Sequence, residues 1–147
     1  KLALLGTAAP MQVAAPLLES ARANEHAALD MVNVWSHGGR AQIGGNSAPG
    51  MWMLGMNMRL MERQPRDVLY SDFAACNAYA HGVAAASGVA CPVLVVTAER
   101  DRMTPPHAAQ SLIHAFANAR TTALAAAGHA LMAEQPDAVL DALIGFL

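Results

Sequence analysis

An aspartate and a histidine stand where they could carry out proton-transfer chemistry together. Asp101 follows an apolar run that ends at Ala98, and His129 follows a second, weaker run over 121–126. The two lie 28 positions apart, which leaves room for one helix and one strand. Because neighbouring parallel strands end at the same edge of a sheet, we expect a carboxylate oxygen of Asp101 within about 2.6 to 3.2 Å of a ring nitrogen of His129. Such a carboxylate holds the imidazole in the tautomer that accepts a proton from a nucleophile.

Each of these residues alone has a plainer interpretation, since an aspartate after a strand is usually a turn residue and a histidine beside glycine usually lies in a loop. The surrounding pattern is longer. Segment 128–136 begins with Gly-His and ends with Glu-Gln-Pro, and Asp101 lies within 92–105. These segments resemble the C-terminal part of the α/β-hydrolase family, although Ala98 stands where many members carry glycine.

The resemblance implies a fold class and a function. The fold is expected to be α/β, the C-terminal part of a parallel sheet, with residues 1–10 as a core strand, 11–89 as an inserted helical cap and 90–147 as the C-terminal core. Asp101 and His129 would be the acid and the base of a Ser-His-Asp triad. The protein would then be a serine-type hydrolase of esters or lactones.

The nucleophile that the family carries on a Gly-x-Ser-x-Gly turn has no counterpart here. The nearest approach is 45–49, where proline replaces the second glycine and no apolar strand precedes the turn, so Ser47 is interpreted as a loop serine. The resemblance places the oxyanion-hole amides in the same missing region. We therefore expect this chain alone to be inactive.

Three runs of residues predict strands. Lys1 to Thr7 is apolar on both faces, Cys91 to Ala98 is rich in β-branched residues, and 121–126 is a weaker candidate. Strands of this composition suit a parallel sheet that is covered by helices on both faces. The block of roughly 80 residues between the first and second strands is too long for a simple crossover and predicts an insertion such as a lid.

Turn and cap residues divide that block into helices. Helices are predicted over 16–24 and 25–36, with Asn24 as the cap of the second one. The glycines and proline of 37–50 predict a long loop. A helix from Val68 carries apolar residues at spacings of three and four, which predict one buried stripe: Leu69, Phe73, Cys76, Ala80 and Val83.

In the C-terminal part, Thr104 and Pro105 predict a helix cap and the first residue of a helix that runs to about Asn118. A short loop is expected after His129. Pro136 begins a last helix whose inward-facing residues are expected to be as follows: Val139, Leu140, Leu143 and Phe146.

A methionine-rich helix over 51–63 is apolar on nearly every side. Thioethers adapt to irregular partners, so this helix could cover an acyl pocket beside His129. The candidate substrate-binding residues are Trp52, Met53, Met56 and Met58. Plain packing is the alternative for each of them.

The composition argues against several other classes. A formal net charge of -2 leaves no basic face for nucleic acid, and no apolar run approaches the roughly 20 residues of a membrane span. No cofactor is expected, because the glycine loop 39–44 lacks the Lys and Ser/Thr of a phosphate loop, and metal is not expected either, because His-Glu-x-x-His is absent. Cys76 and Cys91, in apolar sequence surroundings, favour reduced thiols and a cytoplasmic location.

The chain begins with an apolar run and without methionine, which predicts a fragment. An unpaired strand edge at 1–7 would seek another chain, so the expected partner is the N-terminal half of the same protein or a second copy. The substrate partner would be a small ester. A non-catalytic binding or assembly module of the same fold is the alternative.

Overall fold

A parallel three-stranded sheet forms the centre of the computed structural model, which describes residues 1–46 and 50–147. The strands are β1 (Leu2–Leu5), β2 (Val93–Ala98) and β3 (Ala119–Leu124), with β2 in the middle. Leu2 stands opposite Val93, which in turn stands opposite Ala119. The predicted α/β class is confirmed. Within the described residues β1 pairs with β2 alone and is half-buried, whereas β2 is almost entirely buried.

Alternate residues of β2 enter two different cores. On one face Leu94 and Val96 pack with Val139 of helix α9 (Pro136–Ile144). On the other face Val93 and Val95 pack with residues of α6 (Gly82–Ser87) and α7 (Gln110–Ala115). Helices therefore cover both faces, as the β-branched composition of this strand predicts.

The chain between β1 and β2 is helical. Its helices are α1 (Ala15–Arg22), α2 (His26–Ser36), α3 (Gly39–Gln42), α4 (Met53–Met61) and α5 (Val68–Ala78), followed by α6. Helices α1 and α2 share a small core with side chains of α5. Helix α6 lies inside the predicted cap, 11–89, but it packs on the sheet rather than on this core. The division of the chain at positions 10 and 89 therefore stays a prediction.

Asn24 does not cap α2, contrary to the prediction. It adopts a left-handed conformation with φ 54°, and Glu25 takes the N-cap position without a side-chain cap. The Asn24 amide instead pairs with Asp67, donating to its carboxylate over 2.7 Å and accepting its backbone N–H over 2.8 Å. The left-handed turn directs the side chain away from the helix that follows it.

Two segments predicted as loops contain short helices. In segment 37–50, Gly39–Gln42 forms α3, since a glycine in a first helical turn costs little and Gln42 donates to the carbonyls of Val34 and His37. After His129, Leu131–Glu134 forms α8. The hydrogen bonds of Gln42 hold α3 against the end of α2, and the hydrogen bond from the Gly38 N–H to Glu134 connects α8 to a distant segment. Periodic sequence patterns do not encode these contacts.

The helix predicted from Val68 is broken. Between α5 and α6 the chain changes direction at 79–81, so its apolar residues do not form one buried stripe. Leu69, Phe73 and Cys76 are half-buried, and Ala80 and Val83 are exposed. In the last helix Val139 is buried as predicted and Leu143 is half-buried, whereas Leu140 is exposed. Phe146 is also buried, but it lies beyond the end of this helix.

Among the described residues, no helix is long and apolar enough to cross a membrane, and no three His, Cys, Asp or Glu side chains are grouped to hold a metal ion. Both cysteines are free. Cys76 is half-buried and Cys91 is exposed, so the apolar sequence around Cys91 does not enclose its thiol.

Candidate active site

Asp101 and His129 meet at the carboxyl edge of the sheet. Their loops follow β2 and β3 and are joined by a backbone hydrogen bond of 2.9 Å from Arg100 to Ala127. Oδ2 of Asp101 lies 2.9 Å from Nδ1 of His129. The aspartate side chain is fully buried, whereas the histidine side chain is 35% exposed. The 2.9 Å distance agrees with the expected hydrogen bond. The catalytic role of the pair stays a prediction.

The Asp101 carboxylate is held by donors on both oxygens. Oδ1 accepts the backbone N–H groups of Met103 and Thr104, each over 2.8 Å. Burial alone would raise the pKa of Asp101, but hydrogen bonds from His129 and Thr104 outweigh it, so the pKa lies below its usual value. The carboxylate is therefore ionised at neutral pH and can stabilise an imidazolium beside it.

This lowered pKa predicts how stability depends on pH. The ionised carboxylate stabilises the fold above about pH 3.8, the ordinary value, and that contribution is lost as the pH falls through the lower folded value. Urea unfolding of the wild type and of Asp101→Asn should give free energies that differ most near neutral pH and converge in acid. Asp72→Asn, an exposed change on α5, should show no such convergence.

Thr104 belongs to the same cluster and does not cap a helix. Its Oγ1 lies 2.7 Å from the carbonyl oxygen of Gly6, 2.9 Å from Oδ2 of Asp101 and 3.1 Å from Nδ1 of His129. One hydroxyl thus joins the ends of all three strands, and the helix begins later, at Pro106. In the sequence, a Thr-Pro pair is typical of a helix start and therefore conceals the contacts that Thr104 makes between strand ends. The one sequence signal for those contacts is the position of the threonine, three residues after Asp101.

Removal of the Thr104 hydroxyl should loosen the cluster. We expect Thr104→Val to lower the free energy of unfolding by about 1 to 2 kcal/mol, because the one hydroxyl proton serves either the carbonyl of Gly6 or the Asp101 carboxylate, and its loss leaves one of these acceptors without that donor. Thr104→Ser keeps the hydroxyl and should lose less. Equal losses for the two variants in urea unfolding would assign the effect to the methyl group.

Glu134 ties the helical insertion to the loop of His129. Oε2 accepts the backbone N–H of Gly38 over 3.0 Å, and Oε1 accepts that of Gly128 over 2.9 Å. The N–H of Ala130 donates to the carbonyl of Ser36 over 2.8 Å. A Cβ on Gly128 would lie 2.5 Å from the nitrogen of Gly38, so only glycine allows this approach. The end of α2 and the histidine loop are therefore fixed to one another.

A cavity of about 600 Å³ opens beside His129, between the end of β1, the helical insertion and the loop after Asp101. This volume suits a small organic ligand. Apolar and aromatic side chains supply much of its wall: Met11, Val13, Leu17, Trp35, Phe73 and Met103. The sequence pattern placed Phe73 only in a buried helix stripe, because period alone does not separate a core from a pocket wall.

The candidate substrate-binding residues lie elsewhere. None of Trp52, Met53, Met56 and Met58 lines the cavity. Helix α4 packs against α2 and α3 instead. Met53 is buried in that packing, whereas Trp52 is 67% exposed and Met56 is 55% exposed. Helix α4 therefore does not form the wall of the described cavity. A helix that is apolar all round does not indicate which face meets the core, and the substrate-binding role of these four residues stays a prediction.

Serine residues are the candidates for a nucleophile beside His129. Ser47 lies outside the described residues. Ser111 lines the cavity, but its hydroxyl donates to the carbonyl of Ala9 over 2.8 Å. Within 1–46 and 50–147, no serine or cysteine forms a hydrogen bond with His129.

A sequence model of the alpha/beta hydrolase family matches residues 3–142. The chain belongs to the alpha/beta hydrolase family. The parallel sheet and the Asp101–His129 pair at its carboxyl edge are therefore parts of an alpha/beta hydrolase fold. No curated protein sequence matches this alpha/beta hydrolase.

Solved structures share the fold of this family member. An enol-lactonase from Burkholderia xenovorans is 24% identical, with a TM-score of 0.82. The match covers 98% of this chain and 54% of the enol-lactonase chain. A thermophilic esterase is 23% identical, with a TM-score of 0.80 over 99% and 55%. A bromoperoxidase from Bacillus anthracis is 12% identical, with a TM-score of 0.82 over 98% and 56%. The chain spans about half the length of the structures it matches.

Proposed function

We propose that this chain supplies the acid, the base and part of the substrate pocket of a serine hydrolase that acts on esters or lactones. The observation that carries the proposal is the 2.9 Å contact between Asp101 and His129 at the edge of an apolar cavity. Neighbours described as an esterase and an enol-lactonase support this substrate class.

In the proposed reaction His129 is the general base. Nδ1 keeps its proton for Asp101, so Nε2 accepts the proton of a serine hydroxyl as that oxygen attacks the carbonyl carbon. The buried carboxylate stabilises the imidazolium that forms. His129 then returns the proton to the leaving alcohol. In the second half of the reaction it takes a proton from the water that attacks the acyl-enzyme and passes that proton to the serine oxygen as the acid leaves.

The nucleophile and the oxyanion-hole amides are proposed to come from a segment outside residues 1–147. Two observations support this: Gly-x-Ser-x-Gly is absent, and no described serine contacts His129. The chain by itself would then not hydrolyse esters. Its partner would be the N-terminal half of the same protein or a second copy.

Ester turnover tests the proposal. The chain would be assayed alone and together with any polypeptide encoded in frame before Lys1, using 4-nitrophenyl acetate and a simple lactone. We expect turnover only in the second case. A folded complex that hydrolyses neither substrate would favour the non-catalytic module, and Ser47-dependent turnover by residues 1–147 alone would place the nucleophile in this chain.

The cavity wall should set the preference among acyl chains. Phe73→Ala enlarges the pocket and should raise kcat/KM for a long ester relative to a short one by about tenfold, the scale of one or two methylene groups. Met56→Ala is the control, since Met56 is exposed and outside the cavity. A shift of the same size in both variants would remove the pocket explanation.

A further inference from the structure

Arg102 brings a positive charge to the wall of the cavity that His129 also lines. Its guanidinium carbon lies 6.0 Å from the centroid of the Trp35 ring, which forms another part of that wall. We infer that Arg102 selects substrates that carry a free carboxylate besides the ester or lactone group. The inference rests on the proposed function and names a substrate class for the same site.

The charge of Arg102 has no carboxylate partner on the described part of the chain. No carboxylate there forms an ion pair with it, in contrast to Arg59, which lies 2.6 Å from Glu62. The described cavity wall contains no Asp or Glu, and Asp101 is buried behind His129. A guanidinium in a cleft without an anion attracts one from solution.

The position of Arg102 relative to His129 follows from the turn of the acid loop. Arg102 comes directly after Asp101, whose carboxylate binds the next two backbone N–H groups along the chain. The Trp35 ring supports the guanidinium from the helical insertion. A substrate whose reacting carbonyl lies at His129 therefore has a cation, on the exposed side chain of Arg102, elsewhere on the wall of the same cavity.

A carboxylate fits this cation better than a phosphate does. Guanidinium groups bind carboxylates through two parallel N–H donors, and one arginine matches one negative charge. The described wall supplies no lysine and no second arginine to balance a phosphate dianion. Besides Arg102 and His129, the titratable side chains on the described wall are His107 and Cys76.

Ligand binding to the chain tests the inference without requiring turnover. In a Trp52→Phe background, Trp35 is the single tryptophan and reports on Arg102 by fluorescence. Monomethyl and dimethyl esters of succinate, glutarate and adipate would be titrated as charged and neutral pairs. At the best chain length we expect the monoester to bind about tenfold more tightly than the diester, the effect of one charge-assisted hydrogen bond.

Arginine variants decide the cause of that preference. Arg102→Gln should abolish it, and Arg102→Lys should keep part of it, because the charge remains while the paired donors are lost. Arg100→Gln, an exposed change in the same loop outside the cavity, should keep all of it. Equal affinities for monoester and diester, binding of neither, or an unchanged preference in Arg102→Gln would overturn the inference. Turnover of neutral esters by the protein assembled with its nucleophile would, in those cases, leave the proposed function standing. A carboxylate preference of the chain, without any turnover by the assembled protein, would contradict the proposed function alone.

Discussion

Asp101→Asn should lower kcat for ester hydrolysis by about 10⁴ in the protein assembled with its nucleophile. The amide donates where the carboxylate accepts, so His129 turns to the wrong tautomer and its imidazolium loses a negative neighbour. The same change in the triad of a serine protease costs about 10⁴. Kinetics with 4-nitrophenyl acetate measure the effect.

Asp72→Asn provides the control for loss of one carboxylate, since it lies on the surface of α5 away from the pair. Its kcat should equal that of the wild type. Asp101→Asn with wild-type activity, while circular dichroism shows a native fold, would remove Asp101 from the catalytic machinery.

Gly128→Ala should strongly destabilise the fold. The new Cβ would lie 2.5 Å from the nitrogen of Gly38 and 2.8 Å from both the carbonyl of Ser36 and Oε1 of Glu134. Two of these three contacts are backbone, so the end of α2 must separate from the histidine loop. We expect a loss of about 3 kcal/mol in the free energy of unfolding.

Gly39→Ala is the matched control, because nothing lies within 4 Å of the Cβ that it adds. Gly39 is the first residue of α3, where alanine is the better helix former, so a gain of less than about 1 kcal/mol is expected. Urea unfolding would measure both variants. If Gly128→Ala were as stable as Gly39→Ala, the two segments would not be in fixed contact.

The sheet and the acid–histidine pair could be predicted because their signals are local. The β-branched run of β2 matches a buried parallel strand, and the family pattern around Asp101 and His129 places both at strand ends. Parallel topology then brings the two ends together without any further information.

The features that were missed depend on contacts between distant residues. Thr104 looks like a helix cap in sequence, but its hydroxyl contacts Gly6, 98 positions away. Glu134 holds Gly38 across 96 positions, which no periodic pattern encodes. Both interactions require the folded chain before they can be recognised.

Helix α4 shows a different limit of sequence interpretation. Met53, Met56 and Met58 are equally apolar, and their spacing covers all sides of one helix. Only the packing of α4 on α2 decides that Met53 is buried and Met56 is exposed. Phe73 instead forms part of the pocket wall, although the sequence pattern assigned it to a buried helix stripe.

The rate of labelling by a fluorophosphonate probe tests the central claim most directly. This reagent reacts with a serine only when a base activates its hydroxyl. In the protein assembled with its nucleophile, we predict that the label appears on a serine outside residues 1–147 and that His129→Gln slows labelling by about 10² to 10⁴. His114→Gln, a change on α7 outside the cavity, should label at the wild-type rate. Labelling of His129→Gln at the wild-type rate would contradict the claim that His129, held by Asp101, is the base of this hydrolase.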